Sequence, residues 1–250
     1  MKSKNKLGQK VLLHSKIAVS VFLLAGTLLT SCNKDDDEAI ITEADAADVV
    51  EGTLAASSYG ISEILEYASQ TAEENEVYTE TPTINCGQVY SKDTIFSATQ
   101  TNYSYNYSVH QSYQITCTGE GYPQTFVYNH EMNGIYDATK MSSNDNAQSS
   151  IIITDLEPTK STATVNGTYE RNGTQQSKVR NHRSFSSTID YNLTNLSIDK
   201  VQQKILGGTA ILTISLSADG TTINYNANLT FLGNNSATLV INGNSYSLSW

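Results

Sequence analysis

Tyr103-Ser-Tyr-Asn-Tyr-Ser-Val-His-Gln-Ser-Tyr-Gln-Ile-Thr-Cys117 is the stretch that decides the fold. Tyr103, Tyr105, Tyr107, Val109, Tyr113, Ile115 and Cys117 share one parity, and Ser104, Asn106, Ser108, His110, Ser112, Gln114 and Thr116 share the other. A period of two with one apolar and one wet side is a half-buried strand, and this one is far longer than the usual five or six residues. The pattern returns in Ala210, Leu212, Ile214 and Leu216, then in Ile223, Tyr225, Ala227, Leu229 and Phe231, with Asp219-Gly220 between as a hairpin turn. Leu239 and Ile241, then Tyr246, Leu248 and Trp250, repeat it across Asn242-Gly243. Weaker strands fit at 89–98, 125–136, 149–154, 162–171 and 178–193, with turns at 119–123, 142–146 and Asn172-Gly173. The expectation is a mainly β protein of nine or ten strands, an antiparallel meander that twists into a curved sheet or partial barrel. A β-sandwich is the alternative.

Ahead of these strands the period is 3.6. Thr42 with Asp45 three residues on forms a capping-box start, and acidic residues crowd the first turns, where the helix dipole favours them. Val50, Leu54, Ile61, Leu65 and Ala68 fall on one stripe with Ile64 beside it, so this segment should dock on the apolar side of the sheet. Gly52 and Gly60 each cost about 1 kcal/mol relative to Ala, which makes two helices hinged near 57–60 the alternative to one. A helix lying on a membrane surface carries Lys and Arg on its polar face. This one is acidic, which favours core packing.

The chain has 250 residues, with Lys+Arg 15 against Asp+Glu 25. It is long enough for a sizeable core, and its acidity excludes nucleic acid, which is bound through clustered Lys and Arg. Lys2, Lys4, Lys6, Lys10 and Lys16 precede an apolar run from Ile17 to Thr30 that is too short to span a bilayer comfortably. Leu29-Thr30-Ser31-Cys32 then resembles the bacterial lipobox, whose Cys is acylated and becomes the first residue of the mature protein. Several acyl chains anchor a protein stably where one does not. Asn33-Lys34-Asp35-Asp36-Asp37-Glu38 resembles the surface-export signal of Bacteroidota lipoproteins, and its like charges keep it extended as a tether. The expected organisation is a lipoprotein signal peptide at 1–31, an acidic tether at 32–41, an acidic helical segment at 42–80 and an antiparallel β domain at 81–250.

Cys86 and Cys117 remain after the lipid Cys, and in an oxidising compartment they should form a disulfide. Its value in the chain-entropy model is about 3–4 kcal/mol. A redox pair or metal ligands would want CxxC spacing or nearby His, which are lacking. His110, His130 and His182 are each assigned to strands, outside any HExxH arrangement, and no GxSxG elbow is present. No enzymatic activity, cofactor or metal is expected. Ser142-Ser143-Asn144-Asp145-Asn146 has too few carboxylates for a calcium loop and is better taken as an Asx turn. Lys178, Arg180 and His182 line one parity of an expected strand, with Arg171 and Arg183 nearby, the densest basic patch of the chain. It would suit an acidic glycan, a lipid headgroup or a protein partner, or it pairs with the acidic helix, the simpler account of its charge. Arg183 shares parity with Val179 and Phe185, which suggests a partly buried, paired side chain. The fifteen Tyr suggest sugar stacking, but most occupy in-facing positions suited to core or cavity lining. Asp93-Thr94-Ile95 resembles the Bacteroidota O-glycosylation motif, which would place a glycan on Thr94.

The lipobox, the acidic tether, the Ala-rich helix, the two cysteines, Asn133-Gly134-Ile135-Tyr136-Asp137, Asn166-Gly167-Thr168-Tyr169, Ser177-Lys178-Val179-Arg180-Asn181 and Asn242-Gly243-Asn244-Ser245-Tyr246 together resemble an uncharacterised family of flavobacterial lipoproteins. The resemblance implies an outer-membrane lipid anchor, facing outward, and brings no activity with it. The expected function is a non-enzymatic interaction or envelope protein, with an envelope protein, glycan or lipid as partner. The alternative is a carrier or sensor of an apolar ligand, with a cavity between helix and sheet lined by Tyr107, Val109 and Tyr225. A hydrolase would need a site assembled from scattered residues, without a local motif to support it.

Overall fold

The computed structural model describes residues 41–180 and 182–250. The expected signal peptide, Cys32 and all of the tether but Ile41 lie outside the described residues. Ten strands follow one another as β1 (Tyr90–Thr99), β2 (Ser104–Cys117), β3 (Pro123–Asp137), β4 (Met141–Thr154), β5 (Thr162–Ser177), β6 (Ser184–Asp199), β7 (Ile205–Ala218), β8 (Thr221–Gly233), β9 (Ser236–Ile241) and β10 (Asn244–Ser249). Each pairs antiparallel with the next in a single sheet of order β1 to β10, curved and unclosed. The meander is therefore as expected, and the sandwich alternative is not adopted. Asp219-Gly220 and Asn242-Gly243 both have positive φ at their two residues, the backbone that joins twisted strands through a two-residue turn.

The helical segment takes the two-helix alternative, broken near 57–60 while Gly52 stays inside the first helix: α1 (Glu43–Leu54), a single 3₁₀ turn (Ala56–Ser58) and α2 (Ile61–Glu74). Thr42 caps α1 with both halves of the capping box in place. Gly60 is required at the bend, because a Cβ there would stand 2.5 Å from the Thr53 carbonyl oxygen. Val50, Leu54, Ile61, Ile64, Leu65 and Ala68 are all fully buried and join one core cluster with the inner side of the sheet. At its start α1 is tied to the β9–β10 hairpin, where Glu43 accepts hydrogen bonds from Asn242, Asn244 and Tyr246 at 2.7, 2.8 and 3.1 Å. Cys86 and Cys117 form a disulfide with a Cα–Cα distance of 5.7 Å, fastening the segment that follows α2 to the end of β2.

Three local expectations are overturned. Residues 142–146 are not a turn but the first part of β4, and Asn172-Gly173 lies inside β5, which runs on to Ser177. The strand expected at 178–193 begins only at Ser184, and 178–180 and 182–183 lie in the β5–β6 connection, with Arg180 and His182 at positive φ. Asp, Asn and Gly weigh toward turns in a sequence, but here a buried polar cluster uses them inside strands. Among the described residues no helix is long and apolar enough to cross a membrane.

Candidate functional site

The inner side of β2 to β5 carries a cluster that the sequence did not assemble. Tyr107, Gly134, Asp145 and Gly173 stand in one cross-strand row. Both glycines are there for close approach: a Cβ on Gly134 would lie 2.7 Å from Tyr107 Cδ1, and one on Gly173 would lie 2.5 Å from Asp145 Cβ. Into this gap reaches Arg171 from β5. Its Nε donates to Asp145 Oδ2 at 2.9 Å, and its Nη2 donates to Tyr107 Oη at 2.7 Å and to the Ser58 carbonyl oxygen at 2.9 Å. Tyr107 in turn donates to Asp145 Oδ1 at 2.7 Å.

The Arg171 and Asp145 side chains are 2% and 1% exposed. Burial works against the guanidinium charge, but Asp145 and the hydroxyls of Tyr169, Tyr107 and Tyr136 hold its pKa well above the ordinary value. The rings of Tyr136 and Tyr107 flank it with centroids 5.2 and 5.7 Å away. A buried pair of this kind is sustained by the additional hydrogen bonds around it. Because one of those bonds ends on Ser58, the pair also clamps the helical segment to the sheet. Arg171 is thus an internal strut and has no free face for a ligand.

His130 on β3 lies beside this cluster, 1% exposed. Its ring is 5.7 Å from that of Tyr59 and 6.5 Å from that of Tyr128, and neither ring nitrogen has a hydrogen-bond partner among the described residues. Burial, and after it the charge of Arg171, lowers its pKa to about 4. The imidazole is neutral near pH 7. Ser149, its cross-strand neighbour, is likewise buried without a partner among the described residues.

The rest of the expected basic patch disperses. Arg180 reaches α1, where it bonds Asp48 and lies 3.5 Å from Asp45. Lys140, which the sequence did not single out, adds a second tie to α1 by donating to both oxygens of Glu51 at 2.9 Å. Lys178 pairs with Asp137 at the end of β3, and His182 is exposed. Arg183 is half-buried as its parity suggested, but its Nε and Nη1 lack hydrogen-bond partners among the described residues. No common surface gathers these five residues, because Arg171 points inward and a bent connection carries the other four.

On the outer side of the sheet, Asp93, His110, Glu131, Gln148, Glu170, Asp190 and Thr213 stand in register across seven strands. They bond to one another or to near neighbours: His110 to Asp93 at 2.7 Å, Gln148 to Glu170 at 2.8 Å, and Thr213 to Asp190 at 2.9 Å. A parallel row of Ser91, Ser112, Asn129, Ser150, Thr168 and Asn192 lies beside it. An open groove of about 620 Å³ runs between the two rows. Within β4, Ser142, Asn144 and Asn146 face outward whereas Asp145 faces in, so these oxygens do not converge on a cation. Among the described residues no group of three or more His, Cys, Asp or Glu is placed to hold a metal.

Two further expectations meet the geometry directly. Tyr107 and Val109 are packed into the core cluster at 0% and 3% exposure, and Val109 borders only an open depression it shares with Asp93, His110 and Glu131, whereas Tyr225 is half-buried at the edge of that cluster. Thr94 stands on β1 with its hydroxyl buried, so a glycosyltransferase would have to reach it before the strand packs. Cys32 lies outside the described residues. The sequence placed Asp145 in a turn and His130 on a strand without giving either a role in a buried cluster, although Gly134 and Gly173 inside long alternating runs were a usable signal that something packs against them. No family model matches the chain, and no curated protein or solved structure matches it either.

Proposed function

We propose that this chain is an outer-membrane lipoprotein, anchored through Cys32 and displayed on the outer leaflet, that works as a non-enzymatic interaction module. The leader, the lipobox and the acidic run after it support the anchor and the display. Residues 33–41 extended would span about 30 Å, enough to hold the folded part clear of the headgroups. The observation that carries the interaction reading is the division of labour across the sheet. On the inner side Arg171 and Asp145 are spent on one another and on the helical segment, whereas the outer side is a hydrogen-bonding lattice of Ser, Thr, Asn and Gln in which Asp93, His110, Glu131, Glu170 and Asp190 form a charged row. Such a lattice suits a hydroxyl-rich glycan or the backbone edge of an envelope protein.

The test is expression of the full chain and of Cys32→Ser in a Bacteroidota host, with radiolabelled palmitate and protease treatment of intact cells. The reading expects label on the full chain alone, and release of the folded part from unbroken cells. Label on both chains, or protection until the outer membrane is opened, would overturn the anchor or the display respectively. For the interaction, a photo-crosslinking residue at Asn129 on the outer lattice is expected to capture an envelope glycan or protein on living cells, and one at Ser184 at the mouth of the β5–β6 connection is not. Equal capture at both positions would contradict the assignment of the outer face.

A further inference from the structure

A cleft of about 370 Å³ opens where the helical segment meets the sheet, well away from the outer lattice. One wall is the end of α1 and the 3₁₀ turn, all small residues there (Gly52, Ala55, Ala56, Ser57 and Ser58), and the other is Tyr103, Tyr136 and Trp250. Small residues face large flat ones, which leaves a slot and not a filled seam. Gly52 keeps the floor open, since a Cβ there would stand 3.2 Å from Tyr136 Oη, and that hydroxyl has no hydrogen-bond partner among the described residues.

The rim holds Asp48, Glu51 and Lys140, but these charges are already matched. Lys140 is bound by Glu51 and lies 4.0 Å from Asp48, which is itself bound by Arg180. The cation position over the Tyr136 ring is taken by Arg171. Neither an anion nor a cation would find a free counter-charge here. What complements the cleft is an uncharged molecule with an apolar body for the aromatic wall and one hydroxyl or carbonyl for Tyr136.

We infer that this cleft binds a small neutral amphiphile, of the class of medium-chain alcohols, esters and aryl alcohols. This holds independently of where the chain is displayed, and it locates an apolar ligand beside Trp250 instead of among Tyr107 and Val109. A volume near the lower end of the range for ligand sites limits the guest to about one short alkyl chain or one ring.

Trp250 is the only tryptophan of the chain, so its fluorescence reports on this cleft and on the packing of the same ring against Phe231. The experiment is a titration of the chain from residue 32 onward, carrying Cys32→Ser so that neither acyl chains nor detergent compete, with 1-octanol. Residues 41–250 hold a core of their own, so this form retains the cleft. The expected result is a saturable blue shift of Trp250 emission, weakened about tenfold or more by Ala56→Phe, which fills the slot. Tyr103→Ala, which removes one wall, should weaken it as well and serves as the second variant if Ala56→Phe fails to fold by circular dichroism. Octanoate and octylammonium should bind less well than octanol by about fivefold or more. A shift that grows without saturating, or one unchanged in a folded cleft variant, would overturn the site. Equal or tighter binding of either ion would overturn the neutral class.

Discussion

The inner side of β2 to β5 and the inner side of β6 to β9 have the same strand geometry and different chemistry. Among apolar residues such as Val109, Ile115, Phe126, Ile151 and Val165, the first also buries Tyr107, Gln111, Tyr128, His130, Asp145, Tyr169, Arg171 and Gln175. The second is built from Ile189, Leu193, Leu196, Ile198, Leu212, Ile214, Leu216, Leu229, Leu239 and Ile241, also buried. One half ties the helical segment through Arg171 to Ser58, and the other meets it mainly by area, with one buried hydroxyl pair between Tyr191 and Thr53. An apolar core is forgiving of small shifts, whereas a buried ion pair fixes one arrangement and is costly to break on one side only. The polar half therefore sets how the helices sit, and the aliphatic half supplies most of the driving force.

The largest effect should come from leaving one charge of the polar half alone. Asp145→Leu is expected to destabilise the fold by about 4 kcal/mol in urea denaturation, because Arg171 stays buried without its carboxylate. Leu212→Ala in the aliphatic half should cost about 3 kcal/mol through a cavity, and that cost should not change with pH. If the two losses were equally well rescued by a second apolar substitution, the two halves would not differ in kind.

A third effect belongs to the polar half alone and depends on pH. The His130 pKa is near 4 in the folded chain against an ordinary 6.5, so between these values the unfolded chain binds the extra proton. The groups around the imidazole are Arg171, Tyr59, Tyr128, Gln111 and Ser149, none of which is an anion that would welcome the charge. Its contribution is thus fully present above pH 6.5 and is lost as pH falls toward 4, to a total of at most ~3 kcal/mol. Subtracting the stability profile of His130→Leu from that of the parent chain should isolate this slope, and a flat difference would remove His130 from the account. The smallest effect is at the start of α1, where Thr42→Ala should cost about 1 kcal/mol by removing the cap, measurable as a lower midpoint with an unchanged slope.

The two halves were also unequally legible. Leu212, Ile214, Leu229 and Leu239 announce their inward face by alternation, as does the Tyr103–Cys117 stretch, and the two glycine turns join the strands where their chemistry requires. In β4 the alternation is masked, because Ser143, Asp145 and Ala147 point inward and only the last is apolar. A periodicity argument equates inward with apolar, and a buried ion pair breaks that equation. The same reason made Asn172-Gly173 resemble a turn: Gly173 is there so that Asp145 can sit beside it, not so that the chain can bend. Arg171 was visible as a basic residue, but its partner lies one strand away in the sheet and 26 positions back in sequence, a pairing set by register alone. The tie between the helical acids and Arg180 was legible from charge balance, since few cations were available to answer them.

The central claim is that Arg171 and Asp145 act as one internal strut and not as two independent groups. A double-mutant cycle in urea with Arg171→Met, Asp145→Leu and both together tests it most directly. The account predicts that each single variant loses about 3–5 kcal/mol and that the double variant regains most of that loss, since two apolar side chains replace a satisfied pair. Additive losses in the double variant, or single variants as stable as the parent chain, would contradict it.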